Sequence, residues 1–218
     1  DDSPSQSHTP LTLLYVMDPH CGWCYGFGKV IGQLAHHYQN HHNLRFEILP
    51  GGLFVPAIKS TPSFADDKRP AIKRIEELSG AIFSEAYISG ILGGSILDSE
   101  VPCRVLNTAK QLIPDQIIPF MEDLFDAQFV DAKNISLFEN CLSTIEKYGI
   151  DVDRFQQVFD SPELKSITQT NFDLSHRITT GYPALFIIDS DGHLHKLTNG
   201  FAPFERVAKA VEEWVEFK

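Results

Sequence analysis

Residues 11–27, LTLLYVMDPHCGWCYGF, decide how the chain is organised. Leu11 to Met17 is an apolar run of strand length, too short for a buried helix, and Asp18-Pro19 ends it. From Cys24 onward Phe27, Val30, Ile31, Leu34 and Tyr38 recur at helical spacing, which predicts a helix reaching about Tyr38. The Cys21-Gly22-Trp23-Cys24 segment therefore stands at a strand-to-helix junction. Leu44 to Leu49 reads as a second strand, closed by Pro50-Gly51-Gly52, which completes a β-α-β unit.

Working outward, residues 1–10 are polar and Pro-punctuated and carry too little apolar surface to offset ordering, so they read as a disordered tail. From about 64 to 177 the pattern is helical throughout. A helix around 115–129 places Ile117, Met121, Leu124 and Phe125 on one face, and one around 136–148 does the same with Leu137, Cys141, Ile145 and Tyr148. After Gly181-Tyr182-Pro183 comes the strand-like run Ala184 to Ile188, a turn at Asp189-Ser190-Asp191-Gly192, and a second run His193 to Leu197. The chain closes on an amphipathic helix bearing Phe204, Val207, Val211, Trp214 and Val215 on one face. The order is β-α-β, a long all-helical segment, then β-β-α. That is the element order of an α/β thioredoxin-like domain at 11–55 and 175–218, split by a helical insertion at 56–174.

Composition narrows the function classes. At 218 residues the chain can fill a sizeable core. A net charge of -11, with its cations interspersed among acids, is no nucleic-acid footprint. No apolar run is long enough to span a membrane. Four cysteines are too few for a disulfide scaffold in a chain of this size. The chain begins Asp1-Asp2-Ser3 without a charged-then-apolar leader, as a processed form would, and both cytoplasm and periplasm stay open.

Two cysteines three positions apart at a helix start lie on one face and can close a reversible disulfide. At that end of a helix unpaired backbone N–H groups and the macrodipole favour an anion, and the thiolate is the attacking species. Cys21 is the candidate nucleophile and Cys24, one turn further in, the candidate resolving thiol. His20, when protonated, is a candidate to stabilise the Cys21 thiolate. Asp18 either tunes that thiolate electrostatically or simply ends the strand. The competing reading of C-x-x-C is half of a zinc site, which needs two further ligands at matching spacing. Cys103 and Cys141 are isolated on helical patterns, and His36, His37, His41 and His42 alternate around a helix end, so no metal is expected.

MDPHCGWCYGF after an apolar strand, with GYPALFI far downstream, resembles the DsbA-like branch of the thioredoxin superfamily, and within it the FrnE-like proteins predicted to be protein-disulfide isomerases. The resemblance spans 11–217. It implies a thiol:disulfide oxidoreductase with a redox pair at Cys21 and Cys24, and a cis peptide between Tyr182 and Pro183 beside it. It implies protein or peptide thiols and disulfides as substrates, a redox partner protein or glutathione as partner, and no bound organic cofactor. The backbone of Tyr182 would then pair with an extended substrate as an added strand, with Gly181 permitting close approach. Trp23 and Tyr25 are candidates for an aromatic lip facing substrate, one of them packed instead against the insertion. The Gly22-Trp23 dipeptide differs both from the Pro-His of DsbA and from the Gly-Pro of thioredoxin, so the direction of exchange stays open. The rival enzyme class with this architecture, the kappa-class glutathione transferases and hydroxychromene-carboxylate isomerases, typically keeps a single Ser or Cys at the helix start. A further rival is a chaperone or binding module using the same groove.

Three sets of residues have less decided readings. Glu47 is either a buried proton acceptor for Cys24 or an outward partner of Arg45. Cys103 and Cys141 fall on apolar helix faces and read as core thiols, with a structural bridge or a second redox pair as alternatives. His193 and His195, two apart on a strand, share one face.

Overall fold

The computed structural model describes residues 9–216. The expected tail at 1–10 therefore lies outside the described residues, apart from Thr9 and Pro10. Strand β1 (Leu11–Met17) leads through the Cys21 turn into α1 (Gly22–His37) and β2 (Leu44–Pro50). There follow β3 (Ile58–Lys59), α2 (Pro62–Ser79), a turn of π-helix (Tyr87–Leu92), β4 (Ile96–Leu97), α3 (Glu100–Leu112), α4 (Ile117–Phe129), α5 (Leu142–Lys147), α6 (Val152–Phe159) and α7 (Pro162–Ile178). The last elements are β5 (Ala184–Ile188), β6 (Leu194–Asn199) and α8 (Phe204–Glu216).

The main sheet has the order β2-β1-β5-β6. β1 runs parallel to β2, with Leu11 opposite Leu44 and Met17 opposite Pro50, and antiparallel to β5, with Thr12 opposite Ile188. Because side chains alternate across a strand, β1 serves two cores. Leu13, Tyr15 and Met17 enter the large core shared with α1 and the helical segment, while Leu14 and Val16 pack with Leu49, Ala184 and Phe186 on the opposite face. On α8 the inward Val207 and Val211 are fully buried, each worth roughly 1.5–3 kcal/mol of apolar transfer.

α1 lies against α2 and α4 at close range. A Cβ on Gly26 would come within 2.8 Å of Ile75 Cγ2, so a glycine there lets α2 approach. One large apolar cluster runs from β1 and α1 through α2, α3 and α4 to α8.

The structure corrects four expectations. The segment 56–174 is not all-helical, since β3 and β4 pair antiparallel inside it. These strands are two residues long, and no periodicity can register at that length. The expected boundary at 174/175 falls within α7, which continues to Ile178 because Phe172 and Ser175 keep its inward register. The helix expected at 136–148 is a 3-10 turn, Phe138–Cys141, followed by α5. Leu137, extended just before that turn, is 48% exposed rather than facing the core. Besides Tyr182–Pro183, the Val55–Pro56 peptide is also cis.

Candidate active site at the β1–α1 junction

Cys21 is the N-cap of α1, with extended backbone (φ -80, ψ 116), and its sulfur accepts the Cys24 amide at 3.3 Å. The helix thus turns one free N–H of its first turn, that of Cys24, toward this sulfur. Cys21 is partly exposed, whereas Cys24 is fully buried, and burial pushes the Cys24 thiol well up. Both are free thiols. The Tyr15 hydroxyl, rising from β1, donates to the Cys24 carbonyl at 2.8 Å and closes the site from beneath.

Opposite Cys21 stands the loop before β5. The Tyr182–Pro183 peptide is cis, and the Tyr182 carbonyl lies 3.9 Å from Cys21 Sγ. The Tyr182 side chain is held by its hydroxyl, which donates to the Gly51 carbonyl at 2.7 Å, and burial pushes its pKa up to about 12. Ser175 of α7 donates to the same carbonyl at 3.1 Å. A Cβ at Gly181 would meet nothing within 4 Å, so the space over that backbone is open.

Beside Cys21 opens a cleft of about 280 Å³ lined mainly by apolar groups, among them Trp23, Leu53, Phe54, Phe64 and Tyr87, with the Lys68 ammonium as its cation. Trp23 is half-buried and leans on Phe201. Tyr25 turns the other way, stacking on Phe129 at 4.7 Å and edge-on to Phe83 at 5.1 Å. Of the two aromatics flanking Cys24, Trp23 reaches the cleft and Tyr25 packs into the helical segment.

His20 is not the cation expected beside Cys21. Gln128 of α4 accepts the Ile135 amide on its Oε1, which fixes its NH2 toward His20 Nδ1 at 2.8 Å. An accepting Nδ1 carries no proton. Nε2 then donates to the Asp98 carbonyl at 3.2 Å and to Ser136 Oγ at 3.0 Å, and burial lowers the pKa of the ring. His20 is a neutral clamp between the cysteine turn and the helical segment. Its partners lie 78 to 116 positions away, so no local pattern could have found them.

Asp18 is fully buried and does more than end a strand. Its Oδ1 accepts from the His20 amide at 2.9 Å and Ser99 Oγ at 3.0 Å, and its Oδ2 from the Leu53 amide at 2.8 Å and Cys103 Sγ at 3.7 Å. Cys103 is buried here beneath the site, while Cys141 sits elsewhere, directing its thiol at Ile135 O and Leu137 O. No bridge joins them. Glu47 is no buried acceptor: it is half exposed and pairs with Lys110 at 2.9 Å. His193 and His195 gather at the β5–β6 turn, where His195 Nε2 meets Asp189 Oδ2 at 2.8 Å and its ring lies on Trp214. Those hydrogen bonds hold the Asp189 carboxyl down to about 2 and pin the hairpin.

Comparison with known proteins places this geometry. A candidate protein disulfide isomerase from Nitrosomonas europaea superposes with a TM-score of 0.85 at 25% identity, over 95% of this chain and 98% of that one. The cytosolic disulfide reductase DsbM from Pseudomonas aeruginosa, also solved with GSH, superposes with a TM-score of 0.71 at 22% identity, over 94% and 96%. The chain has the DsbA-like thioredoxin fold. In sequence, the ClpXP adapter protein SpxH of Halalkalibacterium halodurans is 20% identical over 224 residues, covering 100% of this chain and 72% of that protein. No family model matches the chain. In this DsbA-like fold the sheet carries the cysteine turn and the loop before β5 on one end, and the helical segment walls the cleft beside them.

Proposed function

We propose that this protein is a thiol:disulfide oxidoreductase acting on protein or peptide cysteines, with Cys21 as nucleophile and Cys24 as resolving thiol. The observation that carries the reading is the surroundings of Cys21 Sγ: the Cys24 amide at 3.3 Å on one side and the Tyr182 carbonyl at 3.9 Å on the other. The first supports a thiolate. The second sets an open main-chain edge beside it, along which an extended substrate segment pairs as an added strand.

The Cys21 thiolate attacks one sulfur of a substrate disulfide. A Cys21–substrate S–S bond forms, the substrate's own S–S bond breaks, and the departing thiolate leaves with the electron pair. The Cys24 thiolate then attacks Cys21 Sγ, closing the Cys21–Cys24 disulfide and releasing the second substrate thiolate. Two electrons pass from the dithiol to the substrate, and the reverse sequence oxidises a substrate dithiol. Neither step draws on a metal or an organic cofactor. Trp23 and the apolar cleft receive the residues flanking the substrate cysteine, and glutathione, the ligand in one DsbM structure, is a small-thiol partner of fitting chemistry.

The test is trapping. Incubated with a peptide disulfide, the Cys24→Ser variant is expected to accumulate a covalent adduct on Cys21, seen by intact-mass and fragment spectrometry, and Cys21→Ser none. Absence of an adduct on Cys21 overturns the reading. The likeness to SpxH supports a second one, an adapter or binding module on the same groove. A Cys21→Ser/Cys24→Ser variant that keeps the protein's full activity would decide for it.

A further inference from the structure

The reading above needs one more quantity, the balance between the dithiol and the disulfide, and the site contains a group placed to set it. We propose that the buried Asp18 carboxylate is a positioning residue that sets the redox equilibrium of the Cys21–Cys24 pair, its charge disfavouring the thiolate form and holding the pair on the reducing side. This rests on the oxidoreductase reading.

The geometry has three parts. First, the hydrogen bonds assign the charge. Each carboxylate oxygen receives two donors, His20 N and Ser99 Oγ on one, Leu53 N and Cys103 Sγ on the other. Ser99 Oγ accepts the Phe54 amide at 2.9 Å and donates its own proton to Asp18. The His20 and Leu53 amides, one on each oxygen, can only donate. The pattern is that of an ionised carboxylate in an interior site.

Second, Asp18 is tied to both cysteines through its own main chain. Its carbonyl accepts the Cys21 amide at 3.0 Å, and its amide faces the Cys24 sulfur. The fully buried carboxylate therefore belongs to the residue whose main chain meets both cysteines, and its charge acts on the Cys24 thiol through an interior of low dielectric, where it is poorly screened. Third, the titratable groups packed around Asp18 are neutral, while the Lys68 ammonium lines the cleft beside Cys21. Tyr15 from β1, Cys103 from α3 and Tyr182 from the loop before β5 are all pushed up by burial, and His20 is pushed down. Asp98 and Glu100, at the start of α3, face His20 and Cys103 rather than the sulfurs.

The sign follows. Reduction of the disulfide creates thiolate, whereas the disulfide carries no charge. A fixed negative charge nearby raises the free energy of the reduced form alone and favours the disulfide. Removing the charge stabilises the thiolate and makes the pair more oxidising. A role limited to holding the Leu53 loop against Ser99 predicts lost stability with no shift of this sign.

The experiment is redox titration of the full chain against glutathione buffers, with thiols counted by alkylation and mass spectrometry, for wild type and Asp18→Asn. The variant keeps an oxygen acceptor and loses the charge. Its equilibrium constant for oxidation by glutathione disulfide is expected to fall about tenfold, a rise in potential of about 30 mV, and the ultraviolet thiolate absorbance to titrate at lower pH than in wild type. A change of less than about threefold, or one in the opposite direction, overturns the proposal. Ser99→Ala alone leaves the two backbone amides and Cys103 on the carboxylate and so keeps its charge, and this protein is expected to stay within about threefold of the wild-type equilibrium constant even if Asp18→Asn fails to fold; a rise in its potential as large as that expected for Asp18→Asn also overturns the proposal. If wild type itself forms no reversible Cys21–Cys24 disulfide, it is the oxidoreductase reading that fails.

Discussion

The side-chain amide of Gln128 donates to Nδ1 of His20 across 108 positions of sequence, so the residue adjoining the candidate nucleophile is kept neutral by α4 of the helical segment. Burial is the main cause of its lowered pKa, opposed by the charge of Asp18. The folded protein therefore releases this proton at lower pH than the unfolded chain does. Below the ordinary value of about 6.5 the unfolded chain binds a proton that the folded one excludes, and stability falls with pH at a limiting slope of ~1.4 kcal/mol per pH unit. Above that value the contribution is complete. Between about pH 7 and pH 5, wild type should lose more of its denaturant midpoint than His20→Asn. Equal slopes would show that His20 protonates freely in the fold.

Gly51 and Tyr182 make a second coupled pair. The Tyr182 hydroxyl bonds the Gly51 carbonyl, and a Cβ on Gly51 would fall inside the Tyr182 ring. Gly51→Ala must push that ring, and the backbone facing Cys21, out of place. We expect disulfide exchange slowed by ~10- to 100-fold, in keeping with the sensitivity of reactions to small misplacements, with a stability loss of about 1–3 kcal/mol from overpacking. Tyr182→Phe removes only the hydrogen bond and should cost about 1 kcal/mol, leaving the rate within a few-fold. Similar rates for the two variants would mean that the ring's position does not matter to exchange.

Most of the fold, and the identity of the two candidate cysteines, was legible in the sequence, because both depend on local pattern. β1 and β5 coincide with their apolar runs, α8 with its amphipathic face, and the hairpin with a turn whose Gly192 takes φ +85. What escaped depends on distant partners. Glu47 and Asp18 are both acids near apolar strands, and only the register of β2 beside Lys110 and the approach of α3 to the cysteine turn show which one is buried. Gln128 and Ser136 carried no sign of a bond to His20. The strands β3 and β4 are too short to alternate, and α7 overran the expected boundary because the helical period continues through Ser175.

The four cysteines should separate cleanly by reactivity. Cys21 alone is partly exposed; Cys24, Cys103 and Cys141 are buried, with burial driving Cys103 well up and Cys141 up to about 12. Because thiolate is the species that alkylates, reduced native protein given brief iodoacetamide at about pH 8 should carry one label, at Cys21. Oxidised protein should carry none while folded, and two when unfolded without reductant, at Cys103 and Cys141, since four less the two in the active pair leaves two. Finding no label in the unfolded, oxidised protein would mean that Cys103 and Cys141 are bridged, which requires α3 to leave its hydrogen bond with Asp18. Rapid labelling of Cys103 in the folded protein would instead mean that the floor beneath the active pair opens in solution, and with it the enclosure that makes the Asp18 charge felt at the sulfurs.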